Sequence, residues 1–175
     1  MLEIKYESMT DENIKFYLPD ARLILYNDLK KYKTIEQLLP KHKSYFILLY
    51  PVSSETNGHW TVLTRFDNVI EYFDSYGLRP DVPFSWDSSK FRDNKKYLTG
   101  LLNKTNLKVV FNDISFQSKR DGMIATCGSF VVFRVLTLIE FGADLKNNNK
   151  MLKTLKKVNE NLTYDDIVIQ FIDKR

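Results

Sequence analysis

The chain has 175 residues, enough for one domain with a substantial core, and we expect residues 1–175 to form that single domain. Its amino-acid composition is that of an ordinary soluble globular protein. Its 26 basic and 22 acidic side chains give a formal net charge of +4. No apolar run is long enough to span a membrane, and no opening segment has the pattern of a signal peptide. One cysteine cannot form an internal disulfide and, together with the lack of a targeting segment, suits a reducing, intracellular compartment. We therefore expect an intracellular protein, and the short apolar runs predict no role at a membrane.

Short helices are predicted in the first part of the chain. Thr10 and the acidic residues after it predict a helix over 13–18 that stops at Pro19. Residues 26–33 and the capping-box pattern that starts at Thr34 predict two further short helices. These pieces precede a region that is rich in strand-forming residues.

That region contains four predicted strands and is followed by longer helices. The strands, each bounded by polar or turn residues, are 45–50, 59–66, 69–74 and 107–111. Helices are predicted over 90–103, over the apolar run 128–141 and within the amphipathic tail 159–175. This order of elements predicts an α+β fold in which helices flank a central, mostly antiparallel sheet.

The dipeptide 67–68 has the composition of a two-residue turn, and such a turn fixes how its flanking strands pair. Phe66 then lies opposite Val69. Counting back along both strands places His59 and Asp74 on the same face as diagonal neighbours. Diagonal neighbours have Cβ atoms about 7 Å apart, close enough for the carboxylate to accept a hydrogen bond from the imidazole. The acid would hold the ring in one tautomer and stabilise its charged form.

Cys127, the only cysteine, lies at the head of the apolar helix 128–141. Free backbone N–H groups and the positive end of the helix dipole favour a thiolate there. With His59 beside it as an imidazolium, the thiolate would be ready to attack a carbonyl carbon. The Cys127 amide and a side-chain N–H of Gln117 would bind the oxyanion that forms, and Gly128 permits close backbone approach.

Each of these residues also has a structural interpretation. Cys127 would then be an inert core residue, His59 a structural strand residue and Asp74 the start of a turn. Trp60 is expected in the core in either case, because its large apolar area needs cover. Four roles filled in compatible places favour the activated thiol over the separate structural explanations.

Four motifs carry a resemblance to a known family, and they occur in this order: Gly58-His59-Trp60, Tyr72-Phe73-Asp74-Ser75-Tyr76-Gly77, Gln117 and Thr126-Cys127-Gly128. Together they resemble the adenovirus maturation protease (adenain) and its relatives, which include the proteases that cut ubiquitin-like modifiers from conjugates. Residues 72–81 and 127–134 are most similar to the viral branch found in virophages, Polinton or Maverick elements and large DNA viruses. The resemblance extends over about residues 45–141.

The resemblance implies a role for each motif. Cys127 is the nucleophile, His59 the general base, Asp74 the acid that orients it, and Gln117 part of the oxyanion hole. Trp60 and Gly128 are implied to bind substrate, in a narrow cleft that accepts small residues, often glycine, before the cut. Neither a metal nor an organic cofactor is implied.

Gln117 and Cys127 are ten positions apart (127 − 117), a few more than is usual in that family. Either residues 118–124 bulge outward, or a residue other than Gln117 completes the oxyanion hole. Asp121 has the more usual spacing, but an ionised carboxylate would repel an oxyanion, so Gln117 is preferred.

These implications predict a cysteine endopeptidase that processes viral capsid precursor proteins during virion maturation. It would act in the host cytoplasm or virus factory and in the virion, as a monomer. The alternatives are a protease that removes SUMO-type modifiers, an acyltransferase with the same triad, and a non-catalytic binding module for virion assembly. The small excess of basic residues also allows weak, non-specific DNA binding.

Overall fold

The computed structural model describes residues 8–54, 57–83, 95–118 and 125–175. Within these ranges the strands are β1 (Leu23–Leu25), β2 (Tyr45–Ser54), β3 (Asn57–Phe66), β4 (Val69–Phe73) and β5 (Lys108–Phe111). The helices are α1 (Asp11–Tyr17), α2 (Tyr97–Leu102), α3 (Cys127–Phe141), α4 (Leu145–Val158) and α5 (Tyr164–Asp173), with 3₁₀ turns at Tyr26–Lys31 and Ile35–Gln37. None of the helices in these ranges is both long and apolar enough to cross a membrane.

The strands form one sheet in the order β1-β2-β3-β4-β5. Its central pairings, β2 with β3 and β3 with β4, are antiparallel. The outer pairings, β1 with β2 and β4 with β5, are parallel. Helices pack on both faces, which confirms the α+β class and the helix-flanked sheet. The parallel edges could not be foreseen, because each depends on a connection between segments that are distant in the chain.

The β3–β4 hairpin has the register that its turn predicts. Phe66 pairs with Val69, and the ladder continues to the pair Val62 and Phe73. Asp67 adopts a φ of 50°, the left-handed conformation that tight hairpin turns require. Beyond the last pair, the start of β3 lies beside the residues that follow β4.

Two apolar clusters cover the two faces of the sheet. Successive residues of β2 divide between them, since Ile47 belongs to the cluster with α3 and Leu48 to the cluster with α2. The α3 cluster also includes side chains of α1, α4 and α5. In α3 every residue from Cys127 to Leu138 is buried, so this helix forms the centre of that layer.

A buried ion pair fixes α3 over the sheet. Arg134 of α3 is fully buried, and its Nη2 lies 2.5 Å from Oε2 of Glu71 on β4. The Arg134 Nη1 donates to the Ala143 carbonyl at 3.0 Å, and the Leu145 N–H donates to Oε1 of Glu71 at 2.7 Å. Removing either charge would leave the other buried without its partner, so the pair ties helix, sheet and the start of α4 together.

The sequence pattern does not predict two of the observed elements. β1 has only three residues, too few for an alternating pattern to be recognised. α4 lies in a lysine-rich stretch that resembles a solvated surface, although Asp144 caps it and Leu152 is fully buried. Of the helix predicted over 90–103, the structure contains α2, and residues 90–94 lie outside the described part of the chain.

Candidate active site

Three sequence-predicted site residues meet where the start of α3 reaches the sheet. His59 is near the start of β3, Asp74 directly follows β4, and Cys127 is the first residue of α3. Their exposed fractions are 4%, 0% and 6%, so all three are shielded from bulk water. Electrostatic interactions among them are therefore stronger than they would be at an exposed surface.

His59 and Asp74 are joined by a buried hydrogen bond, with Nε2 of the ring 2.9 Å from Oδ2 of the carboxylate. The other oxygen, Oδ1, accepts the Tyr76 N–H at 2.7 Å. The Asp74 carbonyl accepts the Gly77 N–H at 2.9 Å, and Gly77 has a φ of 70°. A turn that needs a glycine thus holds the carboxylate, and the carboxylate holds the ring.

Cys127 contacts both the imidazole and the backbone of β3. Its side chain is hydrogen-bonded to His59, and since Asp74 occupies Nε2, Nδ1 is the ring nitrogen available to the sulfur. The Trp60 N–H donates to Sγ at 3.5 Å. The sulfur therefore lies between a ring nitrogen and a backbone donor.

The pKa of His59 reflects this position. Burial by itself lowers it, but the hydrogen bonds and charges of Asp74 and Cys127 more than compensate and raise the pKa to about 10. The ring is therefore charged at neutral pH. A charged ring between a carboxylate and a cysteine sulfur can hold or transfer a proton at the nitrogen that faces the sulfur.

Tyr76 covers the imidazole. Its ring stacks on the His59 ring with centroids 5.3 Å apart and planes inclined by 25°. Burial, and then the charges of Cys127, Asp165 and Asp74, raise the pKa of Tyr76 to about 12, so its hydroxyl stays neutral. The count along the predicted hairpin places Tyr76 opposite His59, but no sequence pattern indicates a role for its ring.

Gln117 lies next to the turn that carries Asp74. Its backbone N–H donates to the Ser75 carbonyl at 2.9 Å, and its Oε1 accepts the Ser75 hydroxyl at 2.6 Å. Because the serine holds the oxygen end of the amide, the NH₂ end is the one directed away from Ser75. The structure thus ties Gln117 to the His59–Asp74 pair through Ser75. The sequence held no signal for this contact, which joins two distant segments.

Gly58 allows the chain to reach His59. A Cβ atom built on Gly58 would lie 1.9 Å from the Tyr50 carbonyl oxygen, which no side chain tolerates. The pairing of β2 and β3 shifts register between Pro51 and Ser54, directly beside this close approach. Glycine at this position is therefore required by the backbone contact that places the histidine.

Trp60 and Gly128, the two residues expected to bind substrate, are covered by the N-terminal segment. The indole N–H of Trp60 donates to the Met9 carbonyl at 2.9 Å, and the side chain is only 2% exposed. A Cβ atom on Gly128 would lie 2.6 Å from the Cβ of Met9. Met9 thus packs over the residues next to Cys127, a feature that no sequence pattern indicated.

Some expectations fall outside the described residues. The bulge expected over 118–124 includes residues 119–124, which are not described, and Asp121 is among them. In the part of the chain that the structure does describe, no group of three or more His, Cys, Asp or Glu side chains is placed to hold a metal ion.

A sequence relative decides the family. The chain is 36% identical over 121 residues to the uncharacterized protein V9 of Sputnik virophage, and the match covers 66% of this chain and 67% of V9. The chain belongs to the V9 family. This relationship confirms the virophage part of the resemblance seen in the motifs. No model of a known protein family matches the chain.

Two solved structures resemble the fold of this V9-family protein at low sequence identity. One is the central domain of the uncharacterized Lpg1148 protein from Legionella pneumophila, with a TM-score of 0.46, 18% identity, and coverage of 96% of this chain and 95% of that one. The other is the ASFV pS273R protease, with a TM-score of 0.42, 14% identity, and coverage of 78% and 60%. Both similarities are similarities of the backbone fold.

Proposed function

We propose that this V9-family protein is a cysteine peptidase in which Cys127 attacks a peptide carbonyl, His59 transfers the protons and Asp74 orients the histidine. The observation that carries the proposal is a buried series of contacts that runs from Asp74 through the His59 imidazole to Cys127, the only cysteine in the sequence. A structural histidine does not need a carboxylate on one ring nitrogen and a thiol on the other.

Acylation begins from the charged pair. The thiolate of Cys127 forms a bond to the carbonyl carbon, and the carbonyl electron pair moves onto its oxygen. The His59 imidazolium then gives its Nδ1 proton to the leaving nitrogen as the C–N bond breaks. Asp74 keeps Nε2 protonated throughout, so the ring cannot turn away between the two steps.

The oxyanion would be stabilised by two donors. The first is the backbone N–H of Cys127 at the start of α3, one of the first-turn N–H groups that no helical carbonyl can accept. The second is the NH₂ group of Gln117, because Ser75 holds the oxygen end of that amide. Donors fixed before the reaction stabilise developing charge without a reorganisation cost.

Deacylation uses the same groups in reverse. After the amine leaves, His59 is neutral at Nδ1 and can take a proton from a water molecule. The hydroxide equivalent attacks the thioester carbon, the C–S bond breaks, and the carboxylic acid product departs. The thiolate and the imidazolium are thereby restored, and no oxidant, reductant or metal is consumed.

The substrates are proposed to be capsid precursor proteins, processed in the virus factory and the virion. Support comes from the motif resemblance and from the virophage relative. Met9 and Gly128 meet beside the nucleophile, which favours small residues, glycine above all, near the scissile bond. The other outcomes for the same fold are removal of a folded modifier, acyl transfer, and binding without catalysis.

One experiment separates these functions. Purified protein is incubated in parallel with virophage capsid precursors, with SUMO-type conjugates and with acetyl-CoA plus a lysine-containing peptide, and the products are identified by mass spectrometry. The Cys127→Ala variant is the matched control in every arm. Cleavage of precursors by the wild type alone supports the proposal, whereas products only in the conjugate or acetyl-CoA arm reassign the function. If none of the arms gives a product, the remaining function is that of a non-catalytic binding module.

A further inference from the structure

Asp165 is a buried carboxylate outside the triad. It lies in the first turn of α5 and is fully buried. Its Oδ2 accepts the Ser118 backbone N–H at 3.1 Å, and its Oδ1 accepts the hydroxyl of Thr126. A single side chain therefore bonds to two positions that are separated by residues 119–124.

These two positions adjoin two residues of the proposed site. Ser118 directly follows Gln117, and Thr126 directly precedes Cys127. One carboxylate therefore links the segment that carries the oxyanion donor directly to the segment that carries the nucleophile. The long spacing between Gln117 and Cys127 does not weaken this placement, because the bonds to Asp165 bypass the intervening residues.

The helix caps show that Asp165 serves this connection rather than its own helix. Thr163 and Asp166 already form the capping box of α5. Thr126, the N-cap residue of α3, makes no side-chain capping bond to its own helix and donates to Asp165 instead. The first N–H groups of α3 therefore receive no side-chain acceptor from the N-cap residue.

We propose that Asp165 is a positioning residue that holds Gln117 and Cys127 in register through Ser118 and Thr126. The inference rests on the proposed peptidase function for its consequence in catalysis. The two hydrogen bonds from Ser118 and Thr126 to Asp165, called the tether below, do not depend on that function. Asp165 touches no substrate; its effect reaches the reaction through the two residues that it fixes.

Five variants separate the effect of the two Asp165 hydrogen bonds from the effects of helix stability and of charge. Asp165→Ala removes both bonds. Asp165→Asn removes the charge but can keep both contacts, since its Oδ1 accepts the Ser118 N–H and its NH₂ donates to the Thr126 oxygen. Asp166→Ala is the matched control, because it weakens the same helix end without touching the tether. Thr126→Val, compared with Thr126→Ser, breaks one arm and remains informative if Asp165→Ala does not fold.

Two rates are measured on each folded variant: peptide hydrolysis, and alkylation of Cys127 by iodoacetamide as a function of pH. The alkylation needs no peptide and reports only this thiol, since the chain has one cysteine. Misplacement of a reacting group by about 1 Å costs on the order of 100-fold, so Asp165→Ala and Thr126→Val should lose about 10- to 100-fold in kcat. Their alkylation at neutral pH should fall and the pH profile should change, whereas Asp165→Asn, Thr126→Ser and Asp166→Ala stay close to wild type.

The inference is overturned if Asp165→Ala alkylates and hydrolyses like Asp166→Ala, or if folded Asp165→Asn is as impaired as Asp165→Ala. The second result would mean that the charge, not the tether, matters. If the wild type hydrolyses no peptide, the proposed function fails. The alkylation profiles still decide whether Asp165 positions the thiol.

Discussion

Nε2 of His59 lies 2.9 Å from Oδ2 of Asp74, although 15 positions separate the two residues in the chain. The distance follows from a two-residue turn that pairs Phe66 with Val69 and from a second turn that fixes the carboxylate after β4. It also determines the chemistry. With Nε2 bound to the acid, the thiol can exchange a proton only with Nδ1.

Replacing the histidine should cost more than replacing the acid. His59→Ala removes the proton carrier, and general acid–base catalysis contributes about 10²- to 10⁴-fold, so hydrolysis should fall by at least that range. Asp74→Asn keeps the ring in place and should cost less. Steady-state kinetics on both variants, with circular dichroism as the control for folding, measures the difference. Equal activity of His59→Ala and wild type would exclude His59 as the base.

The alkaline limit of activity should lie near pH 10. The raised pKa of His59 keeps the ring charged through neutral pH, and in the proposed mechanism the proton of this ring passes to the leaving amine. Activity should therefore fall as the pH rises through about 10, not near the usual 6.5. Asp74→Asn removes a negative charge that favours the imidazolium, so the limit should move to lower pH. A pH–rate profile of kcat/KM, which reports the free enzyme, tests this for both proteins, and an identical limit in both would contradict the assigned cause.

Removing the Met9 side chain should make the thiol more accessible. Met9 packs against Gly128 and its carbonyl accepts the Trp60 indole N–H, so Met9→Ala opens space beside Cys127 while keeping the backbone bond. Iodoacetamide should then alkylate severalfold faster, at a cost of about 1 kcal/mol in stability from lost apolar burial. Phe16→Ala is the control, because Phe16 is 78% exposed. Unchanged alkylation in Met9→Ala would show that Met9 does not limit access.

Contacts made by local geometry could be predicted from sequence, and contacts between distant segments could not. The turn at 67–68 fixes its own register, and the apolar run after Cys127 identifies α3. By contrast, the Ser75–Gln117 and Asp165–Thr126 contacts depend on how separate elements pack. Ser and Asp are also common in turns and helix caps, where they have ordinary local roles.

The lysines of α4 form an exposed surface on which the expected DNA binding could take place. Lys146, Lys150 and Lys153 are exposed and line a groove with Lys108 of β5. We propose weak, non-specific binding of duplex DNA there, with an affinity that falls steeply as salt rises. The triple change Lys146→Glu, Lys150→Glu and Lys153→Glu should abolish it.

The control is a second triple variant that has the same net charge. Changing Lys30, Lys31 and Lys33 to Glu also takes the net charge from +4 to −2 (4 − 6), but on another exposed segment. Fluorescence anisotropy of a labelled duplex at low and physiological salt measures both variants. Equal loss in the two would indicate a general charge effect, and no binding by wild type at low salt would refute the proposal.

The most direct test of the account is hydrolysis of a capsid precursor by wild type, Cys127→Ser and Cys127→Ala under identical conditions. The serine and alanine side chains both fit the buried start of α3, so the variants should fold with unchanged thermal stability. Wild type should cleave the precursor and should lose activity once one equivalent of iodoacetamide is bound per chain, and neither variant should cleave it. More than trace cleavage by folded Cys127→Ala would contradict the mechanism.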